Sequence, residues 1–148
     1  LWEANMDLLS PNIPIDLYDP TWKIFSNNDS RAPQFIGKNA KIQNSMVTTG
    51  CVIDGSVDCS LISGGVTIAE GAIVTDSILM PGATVKRGAV VEYAIVGESS
   101  VIQAGAHIGA RPESYENKSE WGIAVVGHNI SISSGTIVAP KQIISADI

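Results

Sequence analysis

The side chains best suited to chemistry are few and scattered. His107 and His128 are the histidines, Cys51 and Cys59 are the cysteines, and the sequence contains no metal-ligand cluster, phosphate-binding loop or GxSxG motif. His107 is predicted to point outward from a repeat, where a histidine can act as a general base. An ordinary surface histidine is the alternative. These residues indicate no catalytic constellation and no metal site.

Two basic pairings are candidates for binding a phosphorylated effector. They are Lys86 with Arg87, and Arg111 with Lys118; solvated surface charge is the alternative explanation. The net charge of −6 and the pI of about 4.7 argue against nucleic acid or an anionic membrane as partner. No apolar stretch approaches the length of a membrane span, and no signal peptide is visible. Free thiols are expected at both cysteines, in a cytosolic context.

A repeat that runs through most of the chain must position these side chains. From residue 36 to residue 144 a branched aliphatic residue recurs every five or six positions, usually with a small residue two places earlier. A helix would scatter such residues around its axis, whereas in a strand residues i and i−2 share a face. The pattern predicts a parallel β-helix of hexapeptide repeats. The predicted inward positions are Ile36, Ile42, Val47, Val52, Val57, Ile62, Ile68, Val74, Met80, Val85, Val91, Val96, Ile102, Ile108, Val126, Ile132, Val138 and Ile144.

The remaining segments do not follow the repeat. Residues 2–9 place Trp2, Met6 and Leu9 on one helical face, which predicts the last turns of a helix packed on a neighbour outside this chain. Three prolines between residues 10 and 20 predict an extended linker, and residues 21–26 predict a short strand. The first coils have five-residue steps and should be tighter than the later ones. Between Ile108 and Val126 the repeat stops, which predicts a loop insertion at about 109–125.

Several motifs, in one order, resemble a known family. They are WEANMDLL, then LYDPTWKIF, then APQFIGKNAKIQNSMVTTGCVIDGSV, SLISGGVTIAEGAIVTDSILMPGATV and GIAVVG. Together they are similar to the C-terminal part of bacterial glucose-1-phosphate adenylyltransferases. The resemblance implies that residues 1–35 are the end of a nucleotidyltransferase-domain helix plus a linker, and that residues 36–148 are an all-β, left-handed parallel β-helix domain.

The resemblance also implies a function for the parent protein. Enzymes of this family join ATP and glucose 1-phosphate with Mg²⁺ to give ADP-glucose and pyrophosphate for glycogen synthesis. Their catalytic domain, which binds the metal, is not part of this chain, so no catalysis and no cofactor are expected here. The β-helix domain is expected to contact its own N-terminal catalytic domain, to help assemble a homo- or hetero-oligomer, expected to be a tetramer, and to share an allosteric site.

The effector site is predicted to differ from that of regulated relatives. Those proteins carry basic residues at the positions of Glu92 and Glu120, and an acidic side chain would repel a sugar phosphate. Two alternatives to the enzyme domain stay open. One is a hexapeptide acyltransferase that uses His107 and coenzyme A, and the other is a non-catalytic subunit of the same family.

Overall fold

The chain begins with a helix and an irregular segment. The computed structural model describes residues 1–13, 15–23 and 30–148. Helix α1 (Trp2–Met6) is followed by a 3₁₀ turn at Asp7–Leu9. The strand predicted at residues 21–26 is absent from residues 21–23, and its remainder lies outside the described residues. The amide and hydroxyl of Thr21 both donate to the Asp19 carboxylate, at 2.7 Å each, and this local turn replaces extended pairing.

Short strands make up the rest of the chain. Those in the described residues are β1 (Phe35–Ile36), β2 (Lys41–Gln43), β3 (Met46–Val47), β4 (Val52–Ile53), β5 (Ser56–Asp58), β6 (Leu61–Ile62), β7 (Thr67–Ile68), β8 (Ile73–Thr75), β9 (Ile78–Leu79), β10 (Thr84–Val85), β11 (Val90–Glu92), β12 (Ala94–Val96), β13 (Val101–Ile102), β14 (His107–Ile108), β15 (Ala124–Val126), β16 (Ser131–Ile132), β17 (Ile137–Val138) and β18 (Ile143–Ile144).

The strands form three parallel sheets of six strands. Sheet A contains every third strand from β1 to β16, sheet B every third from β2 to β17, and sheet C every third from β3 to β18. Each turn of the chain therefore adds one strand to each sheet, and the turns stack as a β-solenoid. This confirms the predicted β-helix architecture; its left-handed winding remains a prediction from the resemblance.

The inward residues stack in register along each sheet. In sheet A, Ile53, Ile68, Val85, Ile102 and Ile132 follow one another and each is fully buried. Equivalent columns in sheets B and C complete one continuous apolar core. Because neighbouring strands lie about 4.8 Å apart, each branched side chain contacts those above and below it.

Two of the predicted inward residues are wrong, and both errors are shifts by one residue. Ile53 is fully buried while Val52 is 38% exposed, and Leu79 is fully buried while Met80 is only partly buried. In both places two apolar residues are adjacent, so composition alone did not choose between them. Strand pairing decides, because Ile53 must align with Ile68 and Leu79 with Ile62. Ile36 is inward but 43% exposed, since it lies at the open end of the stack.

The coil that runs from Ile53 to Ile68 is shorter than the one after it, and a single corner accounts for the difference. Register partners Ile53 and Ile68 are 15 residues apart, whereas Ile68 and Val85 are 17 apart. The missing residues lie between sheets A and B, where Val57 follows Ile53 after four positions. Gly55 makes this possible, because a Cβ there would lie 2.6 Å from the carbonyl oxygen of Ala72. The uniform five-residue steps predicted for the first coils are therefore wrong.

A ladder of serines, half-buried at Ser45 and fully buried at Ser60 and Ser77, ties together the corners between sheets B and C. The hydroxyls of Ser45, Ser60 and Ser77 each donate to a carbonyl two residues earlier at 2.7 Å. Each also accepts an amide from the next coil, at 3.0–3.1 Å. The small residues of the repeat thus satisfy backbone groups that would otherwise be buried without partners.

Helix α1 packs on the solenoid itself. The indole Nε1 of Trp2 donates to the carbonyl of Asp76 at 2.7 Å, just before β9 in sheet C. Ile78 in β9 points outward and is nevertheless only 4% exposed, as expected if the N-terminal segment covers it. The prediction that the apolar face of this helix packs on a missing neighbour is therefore wrong for Trp2.

Candidate functional site

The corner between sheets B and C carries residues in an uncommon backbone conformation. Asn44, Cys59, Asp76 and Tyr93 occupy equivalent places in successive coils, with φ between 39° and 49°. Asn and Asp tolerate this left-handed region, whereas Cys and especially the bulky Tyr do so at a cost. A strained tyrosine at a repeated corner indicates a place where neighbouring contacts fix the backbone.

Tyr93 joins three parts of the molecule. Its ring centroid lies 5.9 Å from that of Trp2 in α1 and 5.2 Å from that of Trp121, whose ring it meets edge to face. The Tyr93 hydroxyl and the Asp76 carboxylate, in the coil before it, influence each other's pKa. Such aromatic pairs are worth about 0.5–1.5 kcal/mol beyond the area they bury. The N-terminal helix and the long insertion therefore meet on one side chain.

Burial and like charges perturb the acidic groups around this corner. Burial raises the pKa of Asp76, the nearby Asp58 carboxylate adds to the rise, and the Tyr93 hydroxyl opposes it. Burial also raises the pKa of Tyr93, helped by the charge of Asp76. At Cys59 a hydrogen bond from Asn44 acts to lower the pKa of the thiol, but burial and the Asp58 and Asp76 carboxylates outweigh it and the pKa is raised. The thiol is thus kept protonated and is a poor nucleophile.

Glu92 binds two cationic or potentially cationic groups at once. Its Oε1 lies 2.7 Å from His107 Nε2 and its Oε2 lies 3.0 Å from Arg111 Nε, and the Glu92 side chain is only 12% exposed. A carboxylate only accepts hydrogen bonds, so Nε2 carries the hydrogen in this pair. The hydrogen bond and charge of Glu92 raise the pKa of Arg111. His107 faces outward as predicted, and its Nε2 is already engaged.

The insertion leaves the coil after β14 and returns at β15. It contains two 3₁₀ turns, Pro112–Ser114 and Lys118–Glu120. Besides the Arg111 contact, Trp121 Nε1 donates to the carbonyl of Ala110 at 2.6 Å, and Lys141 from the last coil donates to the carbonyl of Ser119. The loop is therefore fastened at its start, its end and one turn.

The structure does not bring the four candidate effector residues together. Lys86 and Arg87 are exposed at the corner between sheets A and B, and Arg87 Nη2 lies 2.8 Å from Glu70 Oε2. Arg111 and Lys118 lie in the insertion, at the corner between sheets B and C. Sheet B separates the two pairs, so one small ligand would contact one pair or the other.

The sequence also left part of this constellation unrecognised. The sequence marks Glu92 only as an acidic residue where relatives are basic, because its partners His107 and Arg111 are 15 and 19 residues away. Pairing of β11 with β14 places His107 one coil above Val90, close to Glu92. The 17-residue length of a coil is the sequence signal that could have indicated this contact. Within the described ranges, no group of three or more His, Cys, Asp or Glu side chains could hold a metal ion.

Comparison with known proteins agrees with the repeat architecture. Residues 32–126 match the family described as GlmU-like, C-terminal hexapeptide. The chain belongs to this family. Over 142 residues, or 96% of its length, the chain is 47% identical to glucose-1-phosphate adenylyltransferases of Bacillus mycoides and Bacillus cereus. Over 78 residues it is 50% identical to that of Clostridium beijerinckii, covering 53% of this chain and 20% of that protein.

The chain corresponds to a minor part of these relatives. It spans 30% of the length of the two Bacillus proteins. Among solved structures, a mutant perosamine N-acetyltransferase from Caulobacter crescentus in complex with CoA and GDP-perosamine aligns with 77% of this chain and 49% of its own. The TM-score is 0.37 at 15% identity, a likeness too low to carry any argument. None of the helices in the described ranges is long and apolar enough to cross a membrane.

Proposed function

We propose that this hexapeptide domain is the C-terminal assembly and regulatory domain of a glucose-1-phosphate adenylyltransferase. The parent enzyme would make ADP-glucose and pyrophosphate from ATP and glucose 1-phosphate, in the cytoplasm, for glycogen synthesis. The observation that carries this proposal is the 47% identity to enzymes of that name over 96% of the chain, in a segment that spans only 30% of their length. Mg²⁺ would be bound by the catalytic domain of the parent enzyme, as the resemblance implies.

The contacts made by α1 support a role in joining domains. Trp2 fixes the helix to sheet C, and Tyr93 brings the same helix against the insertion. A rigid connection of this kind would hold a catalytic domain at a defined angle to the solenoid. Oligomerisation, with a tetramer expected, belongs to the same proposal.

The four candidate cations remain proposed effector residues, in two separate groups. Arg87 and Arg111 are each paired with a carboxylate, Glu70 and Glu92, so an anionic effector would have to compete with these partners. Lys86, adjacent to Arg87 in sequence, and Lys118, in the same insertion as Arg111, are exposed cations. If a sugar phosphate binds at the first group, Lys86→Ala should weaken its activation of the enzyme. If it binds at the second group, Lys118→Ala should do so instead.

The proposal is tested by pyrophosphate release from the full-length parent protein with ATP, Mg²⁺ and glucose 1-phosphate. Turnover that requires glucose 1-phosphate is expected. No turnover of the parent alone, with turnover restored by a partner subunit, would instead identify a non-catalytic subunit of the same family. Repeating the assay with several sugar phosphates measures whether an effector acts at all.

A further inference from the structure

A groove crosses the outer face of sheet A near its first coils. It has a volume of about 560 Å³ and lies between β1, β7 and the corners that follow β7 and β10. The contacts of α1 and the insertion do not use it, and of the four candidate effector residues only Arg87 lines it. Its principal side chains are Phe35, Lys38, Asp54, Thr67, Glu70 and Arg87.

The charges of this groove cancel. Lys38 and Arg87 face Asp54 and Glu70, and Arg87 Nη2 lies 2.8 Å from Glu70 Oε2. An anion attracted by the two cations would be repelled by the two carboxylates at similar range. A neutral ligand with many hydroxyl groups would instead find donors and acceptors side by side.

An aromatic ring and a glycine also shape the groove around these polar groups. Phe35 is 60% exposed and offers an aromatic face in the groove, and Thr67, two strands further along sheet A, adds a hydroxyl to its lining. A Cβ at Gly37 would lie 1.9 Å from Asp54 Oδ1, so the glycine leaves room for this carboxylate in the groove. An aromatic face beside several hydrogen-bonding groups suits a ring that is apolar on one side and polar at its edge.

From these features we infer that the groove binds a neutral oligosaccharide. Phe35 would pack against one sugar ring, while Asp54, Glu70 and Arg87 would bind its hydroxyl groups. Arg87 would thus act as a sugar-binding residue held in place by Glu70. This inference does not rest on the proposed reaction, and at Arg87 a neutral sugar is the alternative to a phosphorylated effector.

Titration of the 148-residue chain by isothermal calorimetry and by amide NMR tests the inference. The probes are maltohexaose and cellohexaose as neutral oligosaccharides, and glucose 1-phosphate as an anion. At least one hexasaccharide should bind saturably and shift amide signals around Phe35, Thr67 and Glu70. Its affinity should stay constant between about 0.05 and 0.5 M NaCl, because no net charge is involved.

Two variants and one control locate the binding. Phe35→Ala should weaken binding about three- to tenfold, in keeping with the worth of an aromatic contact, and Glu70→Gln should weaken it independently. Ile137→Ala, which truncates an exposed apolar side chain on sheet B, should leave the affinity unchanged. The inference is overturned if neither hexasaccharide shifts the groove signals, if both groove variants bind like the control, or if glucose 1-phosphate alone binds there with a salt-dependent affinity. The pyrophosphate assay is independent of each of these results.

Discussion

At the scale of single residues, Glu92 is the side chain with the most consequence outside the core. It is 12% exposed and takes His107 and Arg111 on its two oxygens, so it links strand β14 and the start of the insertion to β11. A charged acceptor makes stronger hydrogen bonds than a neutral one. The carboxylate therefore contributes to holding the insertion against the corner.

Glu92→Gln should loosen the insertion while leaving the solenoid folded. Loss of the charge should lower the free energy of unfolding by about 1 kcal/mol, since Arg111 is largely exposed and solvent screens the pair. Amide hydrogen exchange in residues 111–120 should accelerate more than exchange in the strands. Glu98→Gln at an exposed corner is the matched control. Equal effects of the two substitutions would show that Glu92 does not fasten the loop.

The raised pKa of Asp76 predicts that the free energy of unfolding depends on pH. Burial raises its pKa in the folded chain above the ordinary 3.8, so ionisation costs folding free energy at neutral pH. That cost disappears as the pH falls through the raised folded pKa towards the unfolded value. Asp76→Asn should therefore be at least as stable as the parent chain at pH 7 by urea denaturation.

The advantage of Asp76→Asn should shrink as the pH falls towards about 4, because Asp76 then becomes neutral in the parent chain as well. Asp7→Asn, at an exposed position in the N-terminal 3₁₀ turn, controls for the change in net charge. If Asp76→Asn were less stable than the parent chain, and the difference were largest at pH 7, ionised Asp76 would be stabilising.

At the scale of elements, the N-terminal helix and the insertion share one contact residue. Helix α1 has five residues and would be unstable alone, and the insertion has no sheet of its own. Each becomes ordered by packing on Tyr93, through Trp2 and Trp121 respectively. Docking of one element should therefore favour docking of the other.

Substitutions at Tyr93 separate the aromatic contact from the backbone strain. Both Tyr93→Ala and Tyr93→Gly lose the ring and should increase exchange in α1 and in the insertion together. Only glycine relieves the φ of 49°, so Tyr93→Gly should be about 1 kcal/mol more stable than Tyr93→Ala. At Val90, a strand residue nearby, the alanine variant should instead be more stable than the glycine variant. Glycine and alanine variants of equal stability at position 93 would exclude strain there.

At the scale of the whole molecule, stability comes from stacked coils. A residue in a central coil is covered above and below, whereas the first coil has one neighbour. Ile102 is fully buried in β13, while Ile36 in β1 is 43% exposed. The same side chain therefore has very different surroundings at the two positions.

Ile102→Ala should destabilise the chain by about 2–5 kcal/mol, as expected for a buried large-to-small change. Ile36→Ala should cost less than about 1 kcal/mol, because much of that side chain already contacts water. Urea denaturation of the two variants compares them directly. Similar losses would imply that the first coil is covered in solution, for instance by association.

The end of the solenoid also depends on the tail of the chain. Ile148 pairs with β16 through its amide and carbonyl, and Asp147 Oδ1 accepts the amide of Ser131 at 2.7 Å. These contacts cover the last strand of sheet A, which would otherwise present free backbone groups to other chains. No feature of residues 145–148 in the repeat pattern indicated this.

The sequence by itself determined the repeat, the β-helix and most of the inward residues. A period of five or six with paired small and branched residues is compatible with stacked short strands and with little else. It also located the insertion. Prediction was less successful where two apolar residues are adjacent, at Val52 and Met80, because either can face inward until neighbouring strands fix the register.

Only the tertiary structure decided which distant side chains meet. Glu92, His107 and Arg111 come together because coils of 17 residues stack. Trp2 and Trp121 meet Tyr93 because the helix and the insertion fold back onto one corner. The groove at Phe35 likewise combines four coils. Local periodicity specifies which face of a strand is buried, whereas contacts between coils depend on the number of residues in every corner between them.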